Sequence, residues 1–211
     1  DVLQKVDDLF GSIPAGEACP TPMFPPIGQQ QEQRLELVQE TNLKRVHIGY
    51  HTVALSHQEH YVLDVIDHLL SHGKTSRLHR RLIDQEQLVT FADAYHHPRQ
   101  AAGVLHLFAE LRPGCSPEQV EHILHEEIER FQTELVPEDE LLKIQRVIAA
   151  DAIFDQETTS GLAHTLGEYA MLGTYTYLNS YVSKIHAVTP EDIKRVAKTH
   201  LRPELRTVGW V

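Results

Sequence analysis

Residues 88–111 read LVTFADAYHHPRQAAGVLHLFAEL, and this stretch does most to decide the class of fold. Its two halves, 88–95 and 103–111, are rich in strand-forming residues, and 103–111 alternates apolar and polar side chains as a half-buried β-strand does. A polar turn at 97–99 separates them, and its proline favours a reversal of the chain. The stretch therefore predicts an antiparallel β-hairpin.

Two further strands are predicted before this hairpin. Apolar residues alternate at 35–37 and at 46–50, and a polar turn at 40–42 joins the two segments. A helix is then predicted over 58–70, because its apolar residues recur every three or four positions and form one stripe. The stripe consists of Tyr61, Val62, Val65, Ile66, Leu69 and Leu70.

The rest of the chain is predicted to be mostly helical. Two helix starts are explicit, since Ser116 and Thr189 each precede a proline and early acidic residues. The predicted helices cover 76–84, 117–135, 137–154, 160–171, 176–185 and 190–200, and a final strand covers 205–211. Strands that come first and helices that dominate later predict an α+β fold, a two-layer domain with an antiparallel-rich sheet packed against helices.

Composition excludes several classes of protein. The chain of 211 residues has a formal net charge of −11, which repels phosphate backbones, so we expect no nucleic-acid partner. No apolar run reaches the roughly 18 residues of a membrane span. The only cysteines, Cys19 and Cys115, are too far apart for a C-x-x-C motif and leave a periplasmic or a cytoplasmic location open. Fifteen histidines make scattered transition-metal affinity plausible.

The chain is expected to begin inside a longer protein, because it starts without methionine or a signal-peptide pattern. Residues 1–11 form a short apolar helix that predicts the tail of a preceding unit. Residues 12–31 are rich in proline and predict an extended linker. Residues 32–211 then form the predicted domain.

No complete metal or nucleophile motif occurs in the chain. Neither H-E-x-x-H nor H-x-x-E-H is present, and the sequence from His57 to His60 is one residue too short. Three residues, His122, His125 and Glu126, share one helix face and could hold a metal ion loosely. Many glutamates surround them, so a solvated helix face is favoured there, and the same interpretation applies to two other histidines, His68 and His72.

Possible nucleophiles and aromatic residues also have structural interpretations. Ser160 lies at a helix start, where capping is expected of it, and Cys115 follows a Pro-Gly turn. Tyr175, Tyr177 and Tyr181 are expected to pack in the core or in an interface. The residues by themselves thus predict no catalytic residue.

Several blocks of the sequence resemble the pitrilysin and insulinase family of zinc peptidases, which includes the mitochondrial processing peptidase. The stretch SRLHRRLIDQEQL at 76–88 resembles the segment after the first helix of the family's second domain, in its bacterial, processing-peptidase-like members. LFGSIP at 9–14 resembles the end of the first domain, and RPG at 112–114 the pattern after the hairpin. IHAVTPEDIKRVA at 185–197 resembles the closing helix. These blocks lie in the family's order and cover nearly the whole chain.

The resemblance implies that zinc belongs to the parent protein and not to this chain. In the family, the H-x-x-E-H helix lies in the first domain, which would precede Asp1, so this chain is expected to hold no catalytic metal and to be inactive alone. Its implied partners are that N-terminal catalytic domain, a homologous partner subunit and an extended peptide substrate. The implied role is to complete a closed chamber around the peptide.

Two positions depart from the family's pattern. In two-subunit relatives, the subunit without zinc carries an arginine and a tyrosine that contact the substrate, and these positions match Ile83 and Thr90 here. Neither residue can replace the donor it stands for. The chain is therefore either the second domain of a zinc-bearing subunit or a structural domain of a catalytically inactive family member. A metal-storage surface formed by the histidines is a third hypothesis.

Overall fold

The structure is a computed structural model that describes residues 1–17, 28–40, 43–173 and 175–211. Its strands are β1 (Gln33–Glu36), β2 (Arg45–Thr52), β3 (Val89–His97), β4 (Gly103–Leu111) and β5 (Arg206–Trp210). They form one mixed sheet in the order β1-β5-β2-β4-β3. The sheet and the helices that cover it confirm the predicted α+β fold.

The helices are α1 (Val2–Phe10), α2 (His60–Ser71), α3 (Pro117–Thr133), α4 (Glu138–Phe154), α5 (Thr159–Leu172), α6 (Tyr181–His186) and α7 (Pro190–His200). A π-helical turn covers His79–Gln85, and 3₁₀ turns cover Tyr175–Asn179 and Pro203–Leu205. None of the helices in these ranges is long and apolar enough to cross a membrane.

The predicted hairpin is present, but the two N-terminal strands are not neighbours. β3 and β4 pair antiparallel, with Tyr95 opposite His106. β5 pairs parallel with β1 and antiparallel with β2, and it therefore lies between them. Residues 41 and 42 of the predicted turn lie outside the described ranges. The sequence could not predict this insertion, because β5 comes from the far end of the chain.

One face of the sheet is covered by helices, and the strand period explains how. In β4, Leu105, Leu107, Ala109 and Leu111 are buried, and the residues between them are not. α2 packs against β3, and α3 packs against α7 and the central strands. Burying one such leucine contributes roughly 1.5–3 kcal/mol. The stripe predicted for α2 is confirmed, with Val62, Val65, Ile66, Leu69 and Leu70 buried and Tyr61 packed against the core.

The helices near the C-terminus agree with the prediction only in part. The predicted helix at 176–185 is divided into the 3₁₀ turn and α6, and between them the Ser180 hydroxyl donates a hydrogen bond to the Tyr177 carbonyl (3.3 Å). Such local side-chain bonds compete with a continuous helix. The predicted start of α7 is confirmed, because Thr189 and Asp192 form a reciprocal capping box.

The first helix makes no buried contact within the described structure. All residues of α1 are exposed, including its apolar Val2, Leu9 and Phe10. The following linker contains 18–27, with Cys19, which lies outside the described ranges. The assignment of 1–11 to a preceding unit stays a prediction.

Candidate functional site

The sheet face opposite the helices is uncovered on the central strands. On β2, β3 and β4 its side chains alternate with the buried ones, and we call it the open face. Its residues on these strands are Arg45, His47, Gly49, His51, Phe91, Asp93, Tyr95, His97, Val104, His106, Phe108 and Glu110. Phe91 is 49% exposed although it is a large apolar residue. A contiguous patch of uncovered apolar side chains, unlike a single one, is typical of a contact surface.

Five rings form a continuous ladder across the open face. Tyr95 stacks on His106 with ring centroids 4.5 Å apart, and His106 shares a hydrogen bond with His47 between Nδ1 and Nε2 (3.0 Å). Phe108 lies 6.0 Å from both His47 and Phe91, measured between centroids. We call His47, Phe91, Tyr95, His106 and Phe108 the aromatic ladder.

The two histidines of the ladder are held in the neutral form. Burial lowers the pKa of His47. Burial, and after it the charge of His47, lower the pKa of His106 to about 4. A shared hydrogen bond needs one ring to donate and the other to accept, which also disfavours two protonated rings. At neutral pH the ladder is thus an uncharged aromatic surface within an acidic protein.

Side chains of α2 occupy part of the outer edge of β3. The Ser71 hydroxyl donates to the Ala94 carbonyl (2.8 Å), and the Asp67 carboxylate accepts from the His96 amide (2.7 Å). These two backbone groups are therefore unavailable to an added strand. A ligand of the open face would contact the ladder side chains more readily than the backbone of β3 at Ala94 and His96.

A buried polar cluster lies on the other side of the sheet, around Asp64 of α2. His96 Nδ1 lies 2.7 Å from Asp64 Oδ1, Tyr181 donates to Oδ2 (3.1 Å), and His60 Nδ1 lies 3.6 Å from Oδ2. Tyr177 Oη approaches His60 Nδ1 at 3.4 Å. We call these five residues the Asp64 cluster.

The Asp64 cluster has the properties of a structural cross-link. Burial alone would raise the pKa of Asp64, but the interactions with His60 and His96 hold it far below its usual range. An ionised carboxylate in this place is stable only because of those partners. The cluster joins α2 to β3 and α6, and it confirms the core packing predicted for Tyr177 and Tyr181. The side chain of Tyr175 is not among those described.

The two histidines among the metal candidates that the sequence singled out contact different glutamates of α3. His122 is 74% exposed, and its Nε2 lies 3.3 Å from Glu126 Oε1. His125 Nδ1 instead lies 3.9 Å from Glu121 Oε1. Burial lowers the pKa of His125 to about 4. These contacts match the helix-face interpretation more closely than a metal site.

His68 and His72, for which the sequence favoured a solvated helix face, have a third potential metal ligand nearby. Ligand atoms of His68, His72 and Asp151 all lie within 4.8 Å of one another. The i, i+4 spacing of the two histidines was visible in the sequence, but Asp151 belongs to α4 and only folding brings it to α2. No pattern in the sequence could have signalled it.

The remaining candidates have structural contacts. Ile83 is half-buried and packs against the core, whereas Thr90 is exposed at the β3 bulge and donates to Glu110 Oε1 (3.0 Å). Cys115 is half-buried against the core. The capping role expected of Ser160 belongs to Thr158, whose hydroxyl accepts from the Gly161 amide (3.0 Å).

The fold is a two-layer α+β domain whose sheet is covered by helices on one side. Residues 1–148 match the family described as the Peptidase M16 inactive domain, and the chain belongs to that family. This confirms the resemblance to the second, non-catalytic domain of zinc metallopeptidases.

Relatives and solved structures agree with this assignment. The zinc protease PqqE of Helicobacter pylori is 26% identical over 92% of this chain and 44% of its own length. The crystal structure of a Helicobacter pylori protease matches with a TM-score of 0.93 and 24% identity, over 99% of this chain and 51% of that chain. A chain of complex III from Candida albicans matches with a TM-score of 0.74 and 16% identity, over 86% and 45%. The chain spans less than half the length of the curated relatives it matches.

Proposed function

We propose that this chain is the non-catalytic half of a zinc-dependent metalloendopeptidase. It completes a chamber that encloses an extended peptide, and the zinc ligands lie in an N-terminal catalytic domain of the same parent. The observation that carries the proposal is the open face, where large rings stand uncovered on strands β2, β3 and β4, whose opposite side is covered by helices. The family of the chain and its zinc protease relatives support it.

The chemistry of the aromatic ladder suits an unfolded peptide. Neutral aromatic rings bind apolar and cationic side chains through their faces, and they do so without selecting one sequence. Enclosure against such a wall excludes water from the scissile bond and favours extended chains over folded proteins. Ile83 and Thr90 supply no substitute for the family's arginine and tyrosine, so these would come from a homologous partner subunit.

The second candidate function is a structural or assembly domain in a catalytically inactive family member. The likeness to a chain of complex III favours it at the level of fold. The sequence upstream of this chain discriminates between the two, because an H-x-x-E-H motif there supports the peptidase and its absence supports the structural domain.

The test compares two phenylalanines in the full-length parent, assayed with a quenched peptide and added zinc together with its partner subunit. Phe91→Glu places a charge on the open face, and Phe154→Glu places the same charge at the end of α4, where the side chain is 61% exposed. We expect the first variant to raise KM about tenfold and the second to leave it unchanged, because a buried charge next to peptide costs about 1.4 kcal/mol or more.

Equal effects of the two variants would contradict a substrate-facing role for the open face. The 211-residue chain alone is expected to show no hydrolysis. Cleavage by this chain that a chelator abolishes would show that it carries its own reaction centre.

A further inference from the structure

We propose that His68, His72 and Asp151 form a binding site for a divalent transition-metal ion such as Zn²⁺, Ni²⁺ or Co²⁺, which ties α2 to α4. This site lies outside the open face and does not depend on the proposed function. It is also separate from the catalytic zinc expected in the other half of the parent.

The geometry already approaches that of a metal site. The two histidine rings lie one helical turn apart, nearly parallel at 17° and with centroids separated by 5.3 Å. His72 Nε2 lies 3.7 Å from Asp151 Oδ2. Two ligand atoms that each lie 2.0–2.1 Å from a tetrahedral ion are about 3.4 Å apart. Side-chain rotations that move the ligand atoms by a fraction of an ångström to about 1.5 Å therefore complete the site.

Supporting hydrogen bonds orient the first ligand. His68 Nδ1 contacts the Asp67 carboxylate and the Asp64 carbonyl oxygen (2.8 Å), which leaves Nε2 as its metal-binding atom. Asp67 is itself buried and anchored to β3 by the His96 amide. A carboxylate behind a metal-ligating histidine fixes its tautomer and increases its basicity, and loss of such a partner costs 10- to 100-fold in affinity.

Access and open coordination positions are also present. The side chains of His72 and Asp151 are 44% and 46% exposed, so an ion can enter from solvent. A cavity of about 200 Å³ lies beside the site, lined by His68 and Asp151 together with Tyr169 and Tyr181. Three protein ligands and room for water are what Zn²⁺ and Co²⁺ accept in open sites.

The experiment is a Co²⁺ titration of the metal-stripped 211-residue chain, followed by its visible absorption and by competition with Zn²⁺. We expect one equivalent to bind with the spectrum of low-coordinate Co²⁺ bound to nitrogen and oxygen. His72→Ala and Asp151→Asn should each weaken binding about tenfold or more. The matched control is His122→Ala, because His122 is also an exposed helical histidine one turn from a carboxylate, and it should change the affinity less than about twofold.

A second measurement guards against a folding defect in one variant. Zn²⁺ should raise the Tm of the wild-type chain and of His122→Ala but not that of Asp151→Asn, whose exposed side chain tolerates the change. The proposal is overturned if Asp151→Asn keeps the wild-type affinity and Tm shift, if His122→Ala loses them, or if no saturable Co²⁺ binding is seen.

Discussion

On the helix-covered side of β4, Leu105, Leu107 and Leu111 are buried, whereas the alternate residues His106 and Phe108 of the same strand lie on the open face. Side chains on both faces come from the same strand, but the hydrophobic core that stabilises the fold is formed by those on the covered face. Rings on the open face contribute less to stability than the buried leucines do, because they are only partly removed from water. The comparison teaches that one strand can place its folding residues on one side, and on the other side the rings to which we assign the proposed contact with a peptide.

The largest effect should come from a charge placed in the helical layer of the covered face. Leu69→Asp is expected to destabilise the chain by about 4 kcal/mol or more, because Leu69 is 1% exposed and its carboxylate would have no partner. Chemical denaturation measures the free energy of unfolding. Leu142→Asp, at a half-exposed leucine of α4, is the control and should change it by less than about 1 kcal/mol. Similar losses in both variants would refute the assigned core.

A smaller effect separates the two faces within one strand. Leu107→Ala should cost about 2–5 kcal/mol, since it leaves a cavity in the core on the covered side of β4. Phe108→Ala removes a larger side chain but should cost about 1 kcal/mol or less, because its ring is only partly buried. If the phenylalanine variant proved the less stable of the two, the open face would be part of the core.

The smallest effect concerns pH and the aromatic ladder. His106 has a pKa of about 4 in the folded chain and about 6.5 when unfolded, so only the unfolded chain takes up this proton as the pH falls between these values. Stability should therefore decrease from pH 6.5 towards pH 4. Denaturation curves recorded across this range should show a shallower decrease for His106→Gln. Parallel curves for the variant and the wild type would mean that His106 is protonated as easily in the folded state.

Local sequence patterns were enough to predict several secondary-structure elements, but they did not predict which strands lie side by side in the sheet. The stripe of α2, the β3–β4 hairpin and the helix start at Thr189 depend on residues a few positions apart, and each is present. The placement of β5 between β1 and β2 depends on segments from opposite ends of the chain. Sequence periodicity defines a buried side but says nothing about which strand lies beside it.

The same distinction holds for the proposed metal site and for the aromatic ladder. The i, i+4 pair of His68 and His72 could be found in the sequence, but the surrounding polar residues favoured a solvated face. Asp151 and the Asp67 contact support the metal site proposed for this pair, and they depend on how α2 lies against α4 and β3. The aromatic ladder likewise needs the register of three strands.

The sequence by itself determined the α+β class, most helices, the hairpin and the resemblance to a non-catalytic peptidase domain, because hydrophobic period, caps and turn residues act over short distances. Only the tertiary structure decided the strand order, the residues that share the open face and the meeting of Asp151 with two histidines. Contacts between distant segments depend on the packing of the whole chain, and no local spacing of residues encodes them.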